Sequence, residues 1–418
     1  PGNDSRLHRR TPRRADRATS DPLATARLGQ LRQLVRDKAG SAGVKDNLIR
    51  RTDILAALQI ADADDLLPCR PALPAVREVV EREQLADALA EIARDSVPHL
   101  IHATGGVGKT VFMTSLASAM RAQSEVVFFD CFGGGAYRSP EDARHLPKKG
   151  LVHIANTLAF RGLCDPILPD STDVQTLLRT FRRRLEQSVR TLRTVTPGRG
   201  VTLFFDAIDN AALVARERSE PAFPILLLES VQLKPIEGVR LVVSCRTERR
   251  PTTDAQYEEF ELRPFSLSET SAYLRPRLAR VTETEIRVAQ ARSGGNPRVL
   301  EYLVKSGRGL LGASEIEKKV TLNELIEKRI ADALAAARER GYLQEDIAAF
   351  LAGLAVLPPP VPLDEYAGAH GLELSAVESF AADLSPLLER TNQGLMFRDE
   401  PTETLVHERY ASSREALR

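Results

Sequence analysis

The residues best suited to chemistry are a glycine run ending in an amine and a hydroxyl, followed much later by two carboxylates and an arginine. Gly105-Gly106-Val107-Gly108-Lys109-Thr110 follows the largely apolar strand-like run 99–103 after Thr104. Such glycines leave backbone N–H groups pointing inward, and a helix opening behind them aims its dipole at the same spot, which suits a polyphosphate. In this pattern the lysine reaches the β and γ oxygens and the hydroxyl ligates Mg²⁺. Ala103 stands where G-x-x-x-x-G-K-T begins with glycine, a position that needs mainly a small residue. About 95 residues on, the apolar run 201–205 delivers Asp206, a carboxylate placed to hold the metal's water shell. Asp209 could orient or deprotonate an attacking water, and the buried-strand pattern 239–245 ends in Arg246, which can reach a γ-phosphate. Taken singly, each has a plainer reading: a glycine turn beside a solvated lysine, a strand that merely ends in Asp, a salt bridge at a sheet edge.

These groups need a sheet to bring them together. Residues 99–103, 126–130, 201–206, 239–246 and 260–262 read as short buried strands separated by helical stretches, the pattern of a parallel sheet covered on both faces. Thr110 and Asp206 are expected to meet one metal ion from neighbouring strands. Between them, Phe112, Leu116 and Met120 share one face of a helix over 111–120. Helices are predicted over 153–163 and 172–192, the second with Arg182, Arg183 and Arg184 on a solvated face. A helix entry is read at 79–85, running on through Leu89 and Ile92. Gly133-Gly134-Gly135 follows a strand where open α/β sheets bind ligands, so it reads either as part of a site or as a mobile loop. Capping boxes at Ser266–Glu269 and Thr282–Glu285 start two more helices, and Ser293-Gly294-Gly295-Asn296-Pro297 stops the second.

The remaining chain reads as helical, with a charged connector over 321–340, an apolar helix over 344–356 and two shorter helices. A hairpin around Asn392-Gln393-Gly394 follows, and Pro401 opens a last helix. Helices followed by a hairpin wing spell a winged helix. Its candidate recognition helix, 374–383, carries acids and no Lys or Arg, which is wrong for a phosphate-lined groove. The expected domains are an Arg-rich tail or linker over 1–22, a helical adaptor over 23–75, a nucleotide-binding domain over 76–265, a helical lid and connector over 266–340, and a winged-helix domain over 341–418.

With 418 residues and 43% apolar content, the chain is long enough for two to four domains with ordinary cores. A formal net charge of +1 gives no reason to expect nucleic acid or membrane as the main partner. No apolar run approaches the ~20 residues needed to span a bilayer, and no signal peptide opens the sequence, so a cytoplasmic protein is expected. Cys69, Cys131, Cys164 and Cys245 form no C-x-x-C pair and read as buried reduced thiols. The first residue is Pro1 rather than Met, which suggests part of a longer chain.

The ordered series of phosphate loop, Phe204-Phe205-Asp206-Ala207-Ile208-Asp209, Val243-Ser244-Cys245-Arg246, Gly294-Gly295-Asn296-Pro297 and a winged helix resembles the STAND signalling NTPases, which include the NACHT and NB-ARC proteins. The resemblance covers roughly residues 76–418. It implies an α/β P-loop NTPase fold: a parallel five-stranded sheet with helices on both faces, a helical lid and a winged-helix domain, preceded by a small helical segment. It implies ATP or ADP with Mg²⁺ as cofactors, metal held by Thr110 and Asp206, and catalytic roles for Lys109, Asp206, Asp209 and Arg246. The nucleotide contacts it implies are Gly105, Gly106, Val107, Gly108, Lys109, Thr110 and Val111 at the phosphates, Pro297 on the adenine, and Val79 and Val80 where the chain passes the base. Near the wing the family places a histidine on the β-phosphate of ADP; this sequence has Arg398-Asp399 there and His407 in the following helix. Asn210 replaces the final acid of the family's D-x-x-D-E-like tail, which implies a slow hydrolase. The class implies an ATP/ADP switch that assembles into a homo-oligomer to activate an effector, as in bacterial regulation or antiphage defence, with effector and sensor domains beyond this segment. Two other readings stay open: a winged-helix DNA-binding regulator, and a nucleotide-bound scaffold without turnover.

Overall fold

Alternating apolar runs and amphipathic stretches build a parallel sheet whose carboxyl edge gathers the residues expected to do chemistry. The computed structural model describes residues 22–40, 48–69, 71–73, 78–94, 96–140, 142–168, 173–305, 320–357, 359–384, 387–391, 394–397 and 400–411. The tail before residue 22 and Arg398-Asp399 therefore lie outside the described residues.

Two compact units divide the chain, one comprising residues 1–66 and 167–170, the other 67–166 and 171–418. The first contains α1 (Pro22–Gly40) and α2 (Arg51–Leu58). At the start of α2 the Arg50 backbone N–H donates to Asp53 at 2.9 Å, and Lys38 of α1 lies 3.9 Å from the same carboxylate.

The second unit continues with α3 (Leu85–Arg94), β1 (His99–Ala103), α4 (Lys109–Met120), β2 (Ser124–Asp130), α5 (Pro147–Phe160), α6 (Val174–Val195), β3 (Gly200–Asp206), α7 (Ile208–Arg218), α8 (Phe223–Leu233), β4 (Val239–Arg246) and β5 (Glu258–Glu261). The strands form one parallel sheet in the order β2-β3-β4-β1-β5. Register aligns the functional ends, with Asp130 opposite Asp206 and Ala103 opposite Arg246.

Both faces of the sheet are covered, which is why its strands are apolar on both sides. On one face Phe112, Met113 and Leu116 of α4 join Ile92 of α3 against Ile101, Phe204 and Val242. On the other, Phe223 of α8 packs edge-on against Phe129 and Phe205, with ring centroids 4.9 and 5.6 Å away.

The chain then folds α9 (Leu267–Leu274), α10 (Glu283–Ser293) and α11 (Pro297–Lys305) around a small core of Leu274, Ile286, Ala289 and Leu300. Both capping boxes form: Ser266 Oγ accepts from the Glu269 N–H and Thr282 Oγ1 from the Glu285 N–H, each at 3.2 Å. Gly294 ends α10 in the left-handed region at φ 58°. The last elements are α12 (Leu322–Glu339), α13 (Gln344–Val356), α14 (Leu363–His370), α15 (Leu374–Asp383), the antiparallel strands β6 (Leu388–Arg390) and β7 (Leu395–Phe397), and α16 (Glu400–Tyr410). They enclose their own core, centred on Ile330, Phe350, Leu351, Tyr366, Val377 and Val406.

Several expectations shift. Helix α3 begins at Leu85 rather than near Val79, because Arg82, Glu83 and Gln84 spend their hydrogen bonds on distant segments instead of on a first helical turn. Helix α5 starts six residues before the expected 153, with Pro147 in its first turn. The hydroxyl and carboxylate expected from neighbouring strands belong to Thr110 in the first turn of α4, which follows β1, and to Asp206 at the end of β3, and β4 separates those two strands; α4 packs across β4 onto β3 and carries Thr110 over. The three glycines are a packing junction: all have positive φ, and a Cβ on each would meet Arg144, Ala72 and Met396 respectively. All four cysteines are free and buried, as expected. Among the described residues no helix is long and apolar enough to cross a membrane.

Candidate nucleotide-binding site

The loop between β1 and α4 turns on two glycines in the left-handed region, Gly106 at φ 81° and Gly108 at φ 92°. Side chains rarely adopt that backbone, and at Gly106 a Cβ would also fall 2.8 Å from both Arg298 Cβ and Asn296 Oδ1. The loop is held from outside by the 294–298 segment: Asn296 Nδ2 donates to the Gly105 carbonyl at 3.0 Å, and the Arg298 N–H to the Gly106 carbonyl at 3.2 Å.

Inside the loop, Lys109 Nζ donates to the carbonyls of Ala103 at 2.8 Å and Thr104 at 3.2 Å. Burial lowers the amine's pKa, opposed by Asp209 and reinforced by Arg246. Thr110 Oγ1 donates to Asp206 Oδ2 at 2.6 Å. The other carboxylate oxygen accepts from Ser244 Oγ of β4, which in turn accepts from the Ala207 N–H at 2.9 Å. Burial pushes the Asp206 carboxyl up, and the Ser244 and Thr110 hydroxyls pull it back. A hydroxyl and a carboxylate oxygen in contact fit a hard cation that prefers oxygen ligands. Among the described residues no group of three or more His, Cys, Asp or Glu could hold a metal. Magnesium here would therefore complete its shell with water and phosphate oxygens, as it usually does.

Two cavities flank the loop. One of about 490 Å³ is lined by Val79, Val80, Gly106, Gly108, Val111 and Pro297, along with Phe265 and Tyr273. The apolar positions expected at the base thus lie along one hollow with the phosphate-loop glycines. The other, of about 560 Å³, is lined by Thr104, Gly105 and Arg246 from the sheet edge and by Leu322, Pro401, Thr404 and Leu405 from the later helices. Asp209 is buried in the first turn of α7, three residues after Asp206. Val107 is buried in the loop itself. His407 is half-buried on α16 and lines neither cavity.

Sequence reasoning missed two residues. Ser244 orients the Asp206 carboxylate, but a serine inside an apolar strand carries no local signal. Arg82 is buried and links three segments: Nε donates to Glu269 Oε1 at 3.0 Å, Nη1 to the Val107 carbonyl of the phosphate loop at 3.2 Å, and Nη2 to the Arg263 carbonyl. An arginine between apolar Val79-Val80 and Leu85 was the available hint.

Residues 99–280 match the family model of the NACHT domain. This segment has a P-loop NTPase fold of the NACHT/STAND class. Its boundaries run from the first residue of β1 to just past α9, so the matched stretch contains the phosphate loop, Asp206, Asp209 and Arg246. A NACHT domain is a P-loop nucleotide-binding module of the STAND ATPases, and the geometry agrees with that class. Among solved structures the chain is similar to a Walker-type ATPase of Pyrococcus abyssi, with 15% identity over 82% of this chain and 99% of that one and a TM-score of 0.40. It is also similar to a STAND protein with a tetratricopeptide repeat sensor from Pyrococcus horikoshii, with 13% identity over 82% of this chain and a TM-score of 0.45. The chain spans 44% of that protein's length. A third similar structure is the ORC2 protein of Aeropyrum pernix, in ADPNP–ADP complexes, with 11% identity over 83% of this chain and 98% of that one and a TM-score of 0.41. Comparison with the curated proteins gave no match.

Proposed function

We propose that the chain is a nucleotide-driven switch with slow ATPase activity. The observation that carries this reading is the meeting of Thr110 Oγ1 and Asp206 Oδ2 at 2.6 Å, at the mouth of a helix whose glycine loop opens onto an apolar cavity. The cavity takes the adenine between Val79, Val80 and Pro297, and the loop's N–H groups with Lys109 take the phosphates. Magnesium, when bound, shields phosphate charge and orients the γ-phosphoryl group; Thr110 and Asp206 would hold it. Arg246, on the second cavity, stands to read the γ-phosphate, and Asp209 to orient the attacking water. With Asn210 in place of a second acid, turnover is slow.

The 341–418 segment, with its helices and β6–β7 hairpin, supports assignment as a winged-helix domain. In this reading ADP favours the arrangement in which α12 and α16 line the second cavity. ATP, through Lys109 and Arg246, favours another that exposes an assembly surface. Such a shift requires the two nucleotides to contact the two arrangements differently, and the γ-phosphate supplies that difference. The output is control of an effector by homo-oligomer formation, of the kind used in bacterial regulation or antiphage defence.

The test is phosphate release from Mg²⁺-ATP together with sizing in ADP and in a non-hydrolysable ATP analogue. Slow release that disappears in Lys109→Ala, and a larger species only with the analogue, are expected. No release above background at high protein concentration would reduce the chain to a nucleotide-bound scaffold, and identical size in both nucleotides would remove the switch.

A further inference from the structure

Residues 78–84 cross one side of the base cavity without helical structure and are tied down at both ends in unlike ways. The inner tie is buried. Arg82 pairs with Glu269 at 3.0 Å and lies over the Phe265 ring at 4.8 Å. The Glu83 N–H donates to Glu269 Oε1 at 2.9 Å, and Gln84 exchanges hydrogen bonds with the Glu261 carbonyl and the Arg263 N–H.

The outer tie faces solvent. Arg277, just past the end of α9, lies 3.3 Å from Glu78 Oε2 and donates through Nη2 to the Glu78 carbonyl at 3.1 Å. Its guanidinium stacks on Tyr273 at 4.0 Å. The Glu78 side chain is 53% exposed and that of Arg277 23%. Between the ties lie Val79 and Val80, the residues that wall the cavity, and Glu78, Tyr273 and Arg277 line the same hollow.

Physical chemistry says which end yields. Breaking the Arg82–Glu269 pair leaves a buried charge uncompensated, which is strongly resisted. An exposed pair is screened by water and salt and opens readily. Opening at residue 78 while residue 82 stays fixed would swing the exposed Val79 away from the cavity and lift Val80 from the small helical core it packs on.

We infer that Arg277, by clasping Glu78 over Tyr273, is a positioning residue that sets how fast nucleotide enters and leaves the base cavity. The inference rests on the nucleotide reading above. It is tested by stopped-flow binding and displacement of a ribose-labelled fluorescent ADP on the whole chain. For Arg277→Ala, association and dissociation should both quicken about tenfold, given the modest worth of exposed ion pairs and cation–π contacts, leaving Kd within about threefold. In the parent both rates should rise with salt; in the variant that dependence should largely vanish. Glu78→Gln, a change at a solvent-facing side chain, should give a smaller acceleration of the same kind, because the carbonyl contact remains.

A faster dissociation with unchanged association would make Arg277 an ordinary ligand contact and overturn the gate. So would parental rates in both directions for both variants. If the parent chain binds no labelled ADP, the nucleotide reading itself fails and the gate with it, whereas loss of binding in Lys109→Ala alone leaves both standing.

Discussion

His153 shows how one residue can make stability depend on pH far from the site. Its ring is buried on α5, edge-on to Phe129 at 5.8 Å, and its Nδ1 accepts the Cys69 N–H at 3.2 Å. Burial, reinforced by the charge of Arg144, pushes its pKa down to about 4. The unfolded chain takes up this proton near the ordinary value of about 6.5, so the folded state's advantage is complete above that pH and shrinks as pH falls toward 4. The loss reaches about 2 kcal/mol by pH 5 at 1.36 kcal/mol per pH unit. Urea unfolding at pH 7.5 and pH 5 should show His153→Gln less stable than the parent at the higher pH but less sensitive to the change. Equal sensitivity in the two proteins would rule out His153 as the cause. At this scale the placement of Lys109 and Thr110 behind a glycine loop and of Asp206 at a strand end was readable, because spacing within a few residues fixes each. His153, Ser244 and Arg82 were not, since each takes its role from a partner at least 38 residues away or on another segment.

Helix α5 carries the lesson for elements. The helix was expected to begin at residue 153, and it begins at Pro147 and runs through Gly150. Proline suits a first turn, where its missing N–H costs nothing. Gly150 is there for clearance, because a Cβ would fall 2.3 Å from the Phe223 ring. That ring cannot retreat, being wedged against Phe129 and Phe205. For Gly150→Ala, the gain in helix propensity of about 1 kcal/mol competes with overpacking of about 1–3 kcal/mol. The fixed ring decides for overpacking, so a net loss of up to about 2 kcal/mol is expected in urea unfolding; a more stable variant would contradict this account. Strands β3 and β4 were legible to within a residue because continuous apolar runs between turns have few other fates. The approach to α3 was misread because an apolar pair followed by charged residues suits either a helix or a strap, and only the distant Glu269 chooses between them.

Across the whole second unit, the last helices reach back to the sheet's carboxyl edge. Met396 of β7 occupies the space over Gly135, Leu322 of α12 stands over Gly106, and Arg138 lies 3.6 Å from Glu403 of α16. Arg138→Glu sets a like charge against Glu403 and against Glu217, which Arg138 meets at 4.0 Å. The expected result is faster amide exchange in α16, on the order of tenfold, with the central strands unchanged. Unaltered protection of α16 would show that this pair does not hold the arrangement. What the sequence by itself determined was the phosphate loop, the strand that delivers Asp206 and the alternation that makes the sheet parallel, because these follow from spacing within a few residues. Only the tertiary structure decided that β4 lies between β1 and β3, that three glycines serve as a junction rather than an open loop, and that residues 78–84 strap the cavity. Each of those depends on which segments, far apart in the chain, come to share one surface, and spacing along the chain carries no record of that.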